Sequence, residues 1–401
     1  MSGGGTSSRR QRLIGFFGLE RNIVAVSAAM FLLALGENLW RRFLPQYLRS
    51  LGAPITVIGL FGTAEDLLDG LYQYPGGWIA DRFGRRRGLL VFIALAAAGY
   101  VVYLAMNAWW LAFAALALVM AWDSMASPTL FAVVGDSLPR TMRTMGFTVQ
   151  SVLRRVPIVI APIVGGVMVA RLGIQAGVRT GIVISIALAG VTAAVVSRIQ
   201  IPLIADDAPI RVRDVWRSFP SALRWLLASD IFIRICDAMV DVFLVIFAVS
   251  VLRISAPQFG LAVAVQALTA ILVYIPAARI ARRTGKKPFV IATFVAFAVF
   301  PLAVVWSTSF VWLMAAFIVG GLREVGEPAR KALIIDLADE RLRARVVGLY
   351  YFARSVAIAP AAFVGGLLWR VSPAVPFYVA AAAGFAGVAL FAITVSEQDA
   401  G

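Results

Sequence analysis

The 401-residue chain is 61% hydrophobic and only 14% charged, and it contains no histidine. Soluble domains are nearer half apolar and one quarter charged, so this composition predicts an all-α membrane protein whose apolar side chains face lipid. The formal net charge of +16 does not indicate nucleic-acid binding, because the basic residues lie in short clusters between apolar runs. Without histidine the commonest metal ligand is missing, and we expect no metal and no cofactor.

Long apolar runs divide the chain into membrane-crossing segments. A helix needs about 20 apolar residues to cross a bilayer, and windows of that length predict twelve transmembrane helices. They cover residues 22–49, 55–79, 88–106, 109–134, 144–172, 177–198, 222–252, 257–281, 288–307, 309–334, 344–370 and 373–396. Turn signals between them include Gly52, Gly84, Gly173 and Gly285. Kinks are expected at Pro45, Pro157, Pro162 and Pro360.

Arginine and lysine lie mostly on one side of these segments. The N-terminus and every second loop carry basic clusters, for example Arg85–Arg87 and Arg341–Arg345. The alternate loops hold little beyond Arg49, Arg171, Arg253 and Arg370. Because basic residues concentrate in cytoplasmic loops, the pattern predicts a protein of the cytoplasmic membrane with both termini in the cytoplasm.

Several residues recur at a spacing near 200. The matched pairs include Gly59 and Gly260, Pro75 and Pro276, Gly84 and Gly285, Asp136 and Asp336, Arg154 and Arg354, and Gly165-Gly166 and Gly365-Gly366. Such a repeat predicts two six-helix bundles related by a pseudo-two-fold axis, with a solute site where they meet. The predicted units are a tail (1–21), an N-terminal bundle (22–198), a linker (199–221), a C-terminal bundle (222–396) and a tail (397–401), and we expect a monomer.

Ionised side chains recur inside the apolar segments. The segment Ser229–Val251 carries Arg234, Asp237 and Asp241 on one helix face. A charge at the centre of a bilayer costs about 2.5–3.5 kcal/mol, so these side chains must be paired or hydrated. The third, sixth, ninth and twelfth segments have no such interior residue, which predicts that the other segments surround a shared polar cavity.

Carboxylates in this cavity are candidates for proton coupling. Desolvation favours the protonated form of a carboxylate and a nearby arginine favours the ionised form, so an arginine that moves during a transport cycle would load and release a proton. The candidates are Glu37, Asp66, Asp69, Asp123 and Asp237. The alternative for each of them is a purely structural ion pair.

Further polar and aromatic side chains are candidates for lining a solute site. They are Trp40, Arg41, Trp122, Gln150, Arg154, Arg234, Asp241, Gln266, Arg323, Glu324 and Glu327. Arg154, Arg234 and Arg323 have the bidentate geometry that suits an anionic solute, or they neutralise the acids. For the aromatic and amide side chains the alternative is ordinary packing.

The loop after the second segment reads GWIADRFGRRR over residues 77–87. It resembles the cytoplasmic-loop motif of the major facilitator superfamily, a family of secondary transporters. The resemblance implies that family's twelve-helix fold and a cytoplasmic gate latch formed by Gly77, Asp81, Arg82, Gly84, Arg85 and Arg86. In the second half, Arg282 stands where the first half has Asp81.

Two shorter stretches refine the expected function. Residues 44–48 and 161–166 resemble motifs of drug–proton antiporters, whereas the fourth segment has Asp123 and lacks the arginine that many antiporters carry. We therefore expect a proton-coupled transporter that moves a small organic solute by alternating access, as an effluxing antiporter. The alternatives are a symporter that imports a polar or anionic solute, and a membrane sensor that does not transport. No phosphate-binding loop, nucleophile constellation or metal-ligand spacing indicates an enzyme.

Overall fold

The computed structural model describes residues 21–126, 143–198, 212–337 and 343–395, and within these ranges the regular structure is helical. The helices are α1 (Arg21–Asn38), α2 (Leu44–Ser50), α3 (Ile55–Phe83), α4 (Arg85–Ala105), α5 (Leu111–Met120), α6 (Arg143–Leu172), α7 (Ile174–Val196), α8 (Val212–Arg217), α9 (Ser221–Asp241), α10 (Ala256–Thr284), α11 (Lys287–Val305), α12 (Phe310–Leu322), α13 (Glu327–Asp336), α14 (Arg343–Ile358), α15 (Pro360–Trp369) and α16 (Val375–Thr394). Short helical segments at Arg41–Phe43, Ala121–Met125, Leu244–Ile246 and Phe247–Val251 connect some of them.

Seven helices of the described ranges are long and apolar enough to cross a membrane. They are Arg86–Ala105, Arg155–Leu172, Ile174–Val196, Ala256–Tyr274, Lys287–Val305, Val346–Trp369 and Val375–Thr394. Each coincides with one of the twelve predicted segments, and the chain is a multi-pass membrane protein. The other five predicted segments are interrupted or carry more ionised side chains, so the count of twelve stays a prediction.

Interruptions of the helices fall at matching places in the two halves of the sequence. α1 ends at Asn38 and α9 ends at Asp241, each inside a predicted segment. Likewise, α5 passes into the π-helical segment Ala121–Met125, and α12 and α13 are separated at residues 323–326. Unwound or irregular backbone at membrane depth is tolerated where it is buried in protein or lines a cavity.

The prolines account for only some of these interruptions. Pro360 is the first residue of α15, as the sequence predicts, and Pro45 lies in the first turn of α2. In contrast, α6 continues through both Pro157 and Pro162. The interruptions at residues 242–243 and 323–326 contain no proline at all.

The predicted glycine turns are confirmed. Gly52, Gly84, Gly173 and Gly285 have φ angles of 85°, 87°, 82° and 100°, a region that side-chain-bearing residues rarely adopt. Gly84 and Gly285, which the repeat matches, each separate two helices in the same way.

Glycines also allow the two halves of the sequence to approach closely. A Cβ atom on Gly59 of α3 would lie 2.5 Å from the carbonyl oxygen of Ala362 in α15. A Cβ atom on Gly260 of α10 would lie 2.2 Å from the carbonyl oxygen of Pro162 in α6. Gly59 and Gly260 are matched positions of the repeat, so the same close contact between a glycine and a neighbouring backbone occurs in both halves.

A glycine also packs against the first interruption, the break that follows the end of α1 at Asn38. A Cβ atom on Gly165 of α6 would lie 1.8 Å from the carbonyl oxygen of Leu39, directly after the end of α1. No side chain fits between these backbones, and α6 therefore fixes where α1 breaks.

Gly165→Ala should destabilise the protein by about 1–3 kcal/mol, because the added methyl group forces the backbones apart. The matched control is Gly190→Ala, since a Cβ atom there meets nothing within 4 Å. Removing a helical glycine at an open position should instead stabilise by roughly 0.5–1 kcal/mol. The measurement is thermal unfolding of the purified protein in detergent, and equal melting temperatures of the two variants would contradict the described packing.

Candidate functional site

A cavity of about 300 Å³ lies beside the first interruption. Most of its wall comes from the N-terminal half, and Asp241 and Val242 at the end of α9 contribute from the C-terminal half. Its charged and aromatic lining residues are Glu37, Trp40, Arg41, Arg42, Phe61, Glu65, Tyr103, Trp122 and Asp241. Five predicted site residues, Glu37, Trp40, Arg41, Trp122 and Asp241, thus lie in one wall.

Arg41 bridges two carboxylates of this wall. Its Nη1 donates to Oε1 of Glu37 at 2.7 Å, and its Nη2 pairs with Glu65 on α3. The Glu37 side chain is 5% exposed, whereas that of Arg41 is 34% exposed. The guanidinium group therefore compensates a buried charge and still faces the cavity.

Aromatic side chains stiffen the wall. Trp40 donates from Nε1 to Oγ of Ser185 at 2.9 Å, and its ring packs against Tyr100 and Tyr103. Trp122 is buried in the π-helical segment that also contains Ser124. Trp40 is thus held by its neighbours and also lines the cavity.

Asp66 and Asp69 differ in their partners. Asp69 accepts a hydrogen bond from Oγ of Ser124 at 2.6 Å. Asp66 makes no hydrogen bond or ion pair with any side chain that the structure describes, and it lies near the carboxylates Glu65, Asp69, Asp237 and Asp241. An ionised Asp66 is thus repelled by these carboxylates and forms no ion pair with a described cation.

A second network lies in the C-terminal half. Arg330 on α13 donates to Oδ2 of Asp230 at 2.6 Å and to Oε2 of Glu327 at 2.8 Å. Arg234 on α9 donates to the other oxygen of Glu327 at 2.5 Å. The side chains of Asp230 and Arg330 are 1% and 2% exposed. Buried charges of this kind persist only when they are paired.

The network continues through the other predicted residues of α9 and α12. Asp237 pairs with Arg323 and lies 3.9 Å from Arg234. The Arg323 guanidinium group also stacks over Phe300, 4.5 Å from the ring centre. Arg354 on α14 donates to Oδ2 of Asp230 at 3.3 Å. Asp230 therefore joins three helices, α9, α13 and α14, and the pair of Asp237 with Arg323 connects α9 to the end of α12.

Among the described side chains, two ion pairs connect the halves of the sequence. Arg42 lies 3.3 Å from Asp241, and Arg155 lies 2.8 Å from Glu324. All four side chains are between 27% and 46% exposed. They are accessible pairs that a movement of the halves would separate.

Other predicted residues lie apart from these networks or outside the description. Gln266 on α10 packs near Gly320 and is not among the residues that line the cavity. Arg86 is exposed after the turn at Gly84. The structure does not describe the side chains of Asp123, Gln150 and Arg154, nor those of the gate residues Asp81, Arg82 and Arg85, and of Gly77 it gives only the place in α3.

Sequence reasoning missed Asp230 and Arg330, the most buried pair of the site. The missed signal is the helical stripe itself: Asp230 precedes Arg234 by four residues, and Arg330 follows Glu327 by three. Extending each charged stripe by one turn would have found both. Their positions nearer the ends of the predicted segments concealed them.

Comparisons with known proteins agree with this architecture. The family model described as Major Facilitator Superfamily matches residues 26–224 and 226–401. An uncharacterized MFS-type transporter of Methanocaldococcus jannaschii is 20% identical over 367 residues, which are 90% of this chain and 91% of that protein.

Solved structures share the fold at low identity. A POT family transporter in complex with a thioalcohol-conjugated peptide superposes with a TM-score of 0.78 and 14% identity, covering 94% of this chain and 96% of that one. The nucleoside transporter NupG superposes with a TM-score of 0.77 and 12% identity, covering 93% and 100%.

Arg41→Gln should destabilise the protein by about 1–3 kcal/mol, because it leaves the carboxylates of Glu37 and Glu65 without their shared cation. Adding Glu37→Gln to this variant should restore part of the loss, since the buried charge is removed as well. Thermal unfolding in detergent measures both effects.

Arg49→Gln is the matched control, because Arg49 is exposed at the end of α2. An Arg41→Gln variant that melts no lower than Arg49→Gln would show that Arg41 carries no such role.

Proposed function

The chain belongs to the major facilitator superfamily, and we propose that it is a proton-coupled secondary transporter that moves a small organic solute across the cytoplasmic membrane by alternating access. The observation that carries this proposal is the pair of ionic contacts between the halves, Arg42 with Asp241 and Arg155 with Glu324. An ion pair between partly exposed side chains contributes little to the stability of the fold, so stability alone does not explain these two contacts. Pairs that form in one conformation and break in another give each conformation its own charge pattern.

The proposed architecture is two six-helix bundles, residues 22–198 and 222–396, that rock about the cavity between them. The tails 1–21 and 397–401 and the linker 199–221 are placed in the cytoplasm. Matched helix interruptions and matched glycine contacts support this organisation, because a duplicated bundle repeats its packing solutions. In this topology the contacts at Gly59 and Gly260 lie at the outer end of the bundles, and the described conformation is closed there.

The cytoplasmic gate is proposed at the loop that joins α3 to α4. There Asp81 would accept hydrogen bonds at the start of α14, and Arg82, Arg85 and Arg86 would supply the cations of the latch. A carboxylate near a helix N-terminus and several arginines gains from both the helix dipole and ion pairing.

Asp66 is the proposed proton carrier. The other described candidates each have a polar partner: Glu37 has Arg41, Asp69 has Ser124, and Asp237 has Arg323. Asp66 lies near four other carboxylates and forms no ion pair with a described side chain, so a bound proton removes repulsion between like charges. Protonation would then let α3 and α9 approach, which links the proton to the conformational change.

The direction of transport has two candidates. Antiport with efflux of the solute is the first, as the sequence predicts. Proton-coupled uptake of a polar or anionic solute is the second, and it is favoured by a cavity wall that carries both carboxylates and guanidinium groups. The sensor that does not transport is disfavoured, because ion pairs that separate when the halves move, Arg42 with Asp241 and Arg155 with Glu324, would have no use in it.

Proteoliposomes that contain a pH dye should distinguish these functions. When an active solute from a panel of dipeptides, nucleosides, carboxylic acids and cationic dyes is added outside, symport acidifies the lumen and antiport makes it alkaline. Asp66→Asn should abolish the pH change and leave exchange of labelled for unlabelled solute intact, because exchange needs no net proton movement.

Asp336→Asn is the matched control, since Asp336 forms a peripheral ion pair with Lys286. A full pH response in the Asp66→Asn variant would exclude Asp66 as the carrier. No solute flux in the unaltered protein under any imposed pH gradient would contradict proton-coupled transport itself.

Alternating access predicts equal effects of Gly59→Ala and Gly260→Ala. Each added methyl group meets a carbonyl oxygen and opposes closure of the outer end by about 1–3 kcal/mol, so the transport rate should fall about fivefold or more. Gly348→Ala is the control, since nothing lies within 4 Å of a Cβ atom there. Unchanged transport in both interface variants would mean that these contacts do not gate the cavity.

A further inference from the structure

We propose that the charged cluster of the C-terminal half binds the negatively charged group of the transported solute, so that the solute is an organic anion. The cluster comprises Asp230, Arg234, Asp237, Arg323, Glu327, Arg330 and Arg354. This inference rests on the proposed transport function and adds the chemical class of the solute and the place where its charge is held.

The charges of the cluster do not balance. Four guanidinium groups face three carboxylates, which leaves one positive charge in excess. Glu324 does not supply the missing negative charge, because it pairs with Arg155 of the other half. Asp66 does not supply it at contact distance either, because it forms no ion pair with a described side chain. An uncompensated charge inside a membrane protein is costly, and an anion would remove that cost.

The hydrogen bonds of the cluster show the same excess. Oδ2 of Asp230 already faces Arg330, Arg354 and the hydroxyl group of Tyr350, at 2.6, 3.3 and 3.1 Å. The buried atoms of the cluster without a hydrogen-bond partner are three donors, the Nε atoms of Arg234, Arg330 and Arg354, and one acceptor, Oδ1 of Asp230. Donors thus outnumber acceptors, and the group that completes the cluster must be rich in acceptor oxygens. Carboxylates and phosphates have this property and match guanidinium geometry.

Two arginines of the cluster are partly exposed. Arg234 and Arg354 are 22% and 16% exposed, whereas Asp230 between them is 1% exposed. Arg234 Nε lies 3.8 Å from Oδ1 of Asp230, and Arg354 Nη1 lies 3.3 Å from Oδ2. The two guanidinium groups therefore flank one buried carboxylate from two helices, and an arriving anion meets cations on both sides.

Aromatic rings hold these guanidinium groups without neutralising them. Arg234 lies over Phe297 at 4.9 Å and Arg354 over Tyr351 at 4.7 Å, each measured to the ring centre. A cation over an aromatic face keeps its full charge and has its orientation restricted. The arrangement is thus preorganised for an anion. A water molecule could accept the free hydrogen bonds but would leave the charge excess in place.

Thermal stability of the purified protein tests the proposal without transport. The probes are succinate, benzoate and methyl phosphate, with succinamide and benzamide as neutral counterparts. A ligand that binds the folded protein raises its melting temperature by mass action. The anions should raise the melting temperature and the amides should not. Equal shifts by anions and amides, or no shift by any anion, would overturn the proposal from the unaltered protein alone.

Variants locate the anion. Arg354→Gln should abolish the shift by weakening anion binding about tenfold or more, since a charge-assisted hydrogen bond is lost, and Arg354→Lys should retain part of it. Arg49→Gln is the matched control, because it removes an exposed guanidinium group outside the cluster and should keep the full shift. A full anion shift in Arg354→Gln, or its loss in Arg49→Gln, would place the anion elsewhere.

Failure of this inference and failure of the proposed function are distinguishable. Coupled flux of a neutral or cationic solute, together with no anion-dependent stabilisation, would overturn the anion site alone. Anion-dependent stabilisation that requires Arg354, in a protein that shows no coupled flux, would leave the site standing and overturn the transport function.

Discussion

The ion pairs inside the apolar helices are the constraint on which this structure depends. Each guanidinium or carboxylate group at membrane depth would cost about 2.5–3.5 kcal/mol if it were left in hydrocarbon. Arg41 between Glu37 and Glu65, and Arg330 between Asp230 and Glu327, reduce that cost by sharing one cation between two carboxylates. Replacing buried pairs with apolar residues is often just as stable, so charges in this number indicate a use other than stability.

Helix interruptions bring the charges to the cavity. α1 ends one residue after Glu37, so Arg41 leaves the regular helix and reaches α3. α12 and α13 are separated at residues 323–326, where the backbone N–H of Gly326 donates to Oγ1 of Thr293 at 2.5 Å. Glycines at Gly59, Gly165 and Gly260 then let neighbouring backbones close around these interruptions. The helix interruptions thus place charged side chains at the cavity, and the glycines let the surrounding helices pack closely around them.

Local signals explain which features could be predicted from the sequence. Apolar length located the helices, and the turns at Gly84 and Gly285 were predictable because only glycine readily adopts their φ angles. The interruptions at residues 242–243 and 323–326 were not, because no proline marks them and tertiary packing sets them. The five carboxylate candidates looked alike in sequence. Glu37 has Arg41 four residues later as its partner, whereas the surroundings of Asp66 depend on Asp237 and Asp241 of another helix.

Solvent access to the cavity within the membrane is the most direct measurement of the central claim. Cys236 is the single cysteine of the chain and is buried, so Cys236→Ser provides a background for adding one cysteine at a time. In membrane vesicles, Asn38→Cys should react with a membrane-impermeant charged thiol reagent, because Asn38 lines the cavity. Leu272→Cys should not react, because Leu272 is 63% exposed on the outer face of α10 and would lie in lipid. An unreactive Asn38→Cys in vesicles of both orientations, or equal labelling of the two variants, would contradict a hydrated, charge-lined cavity.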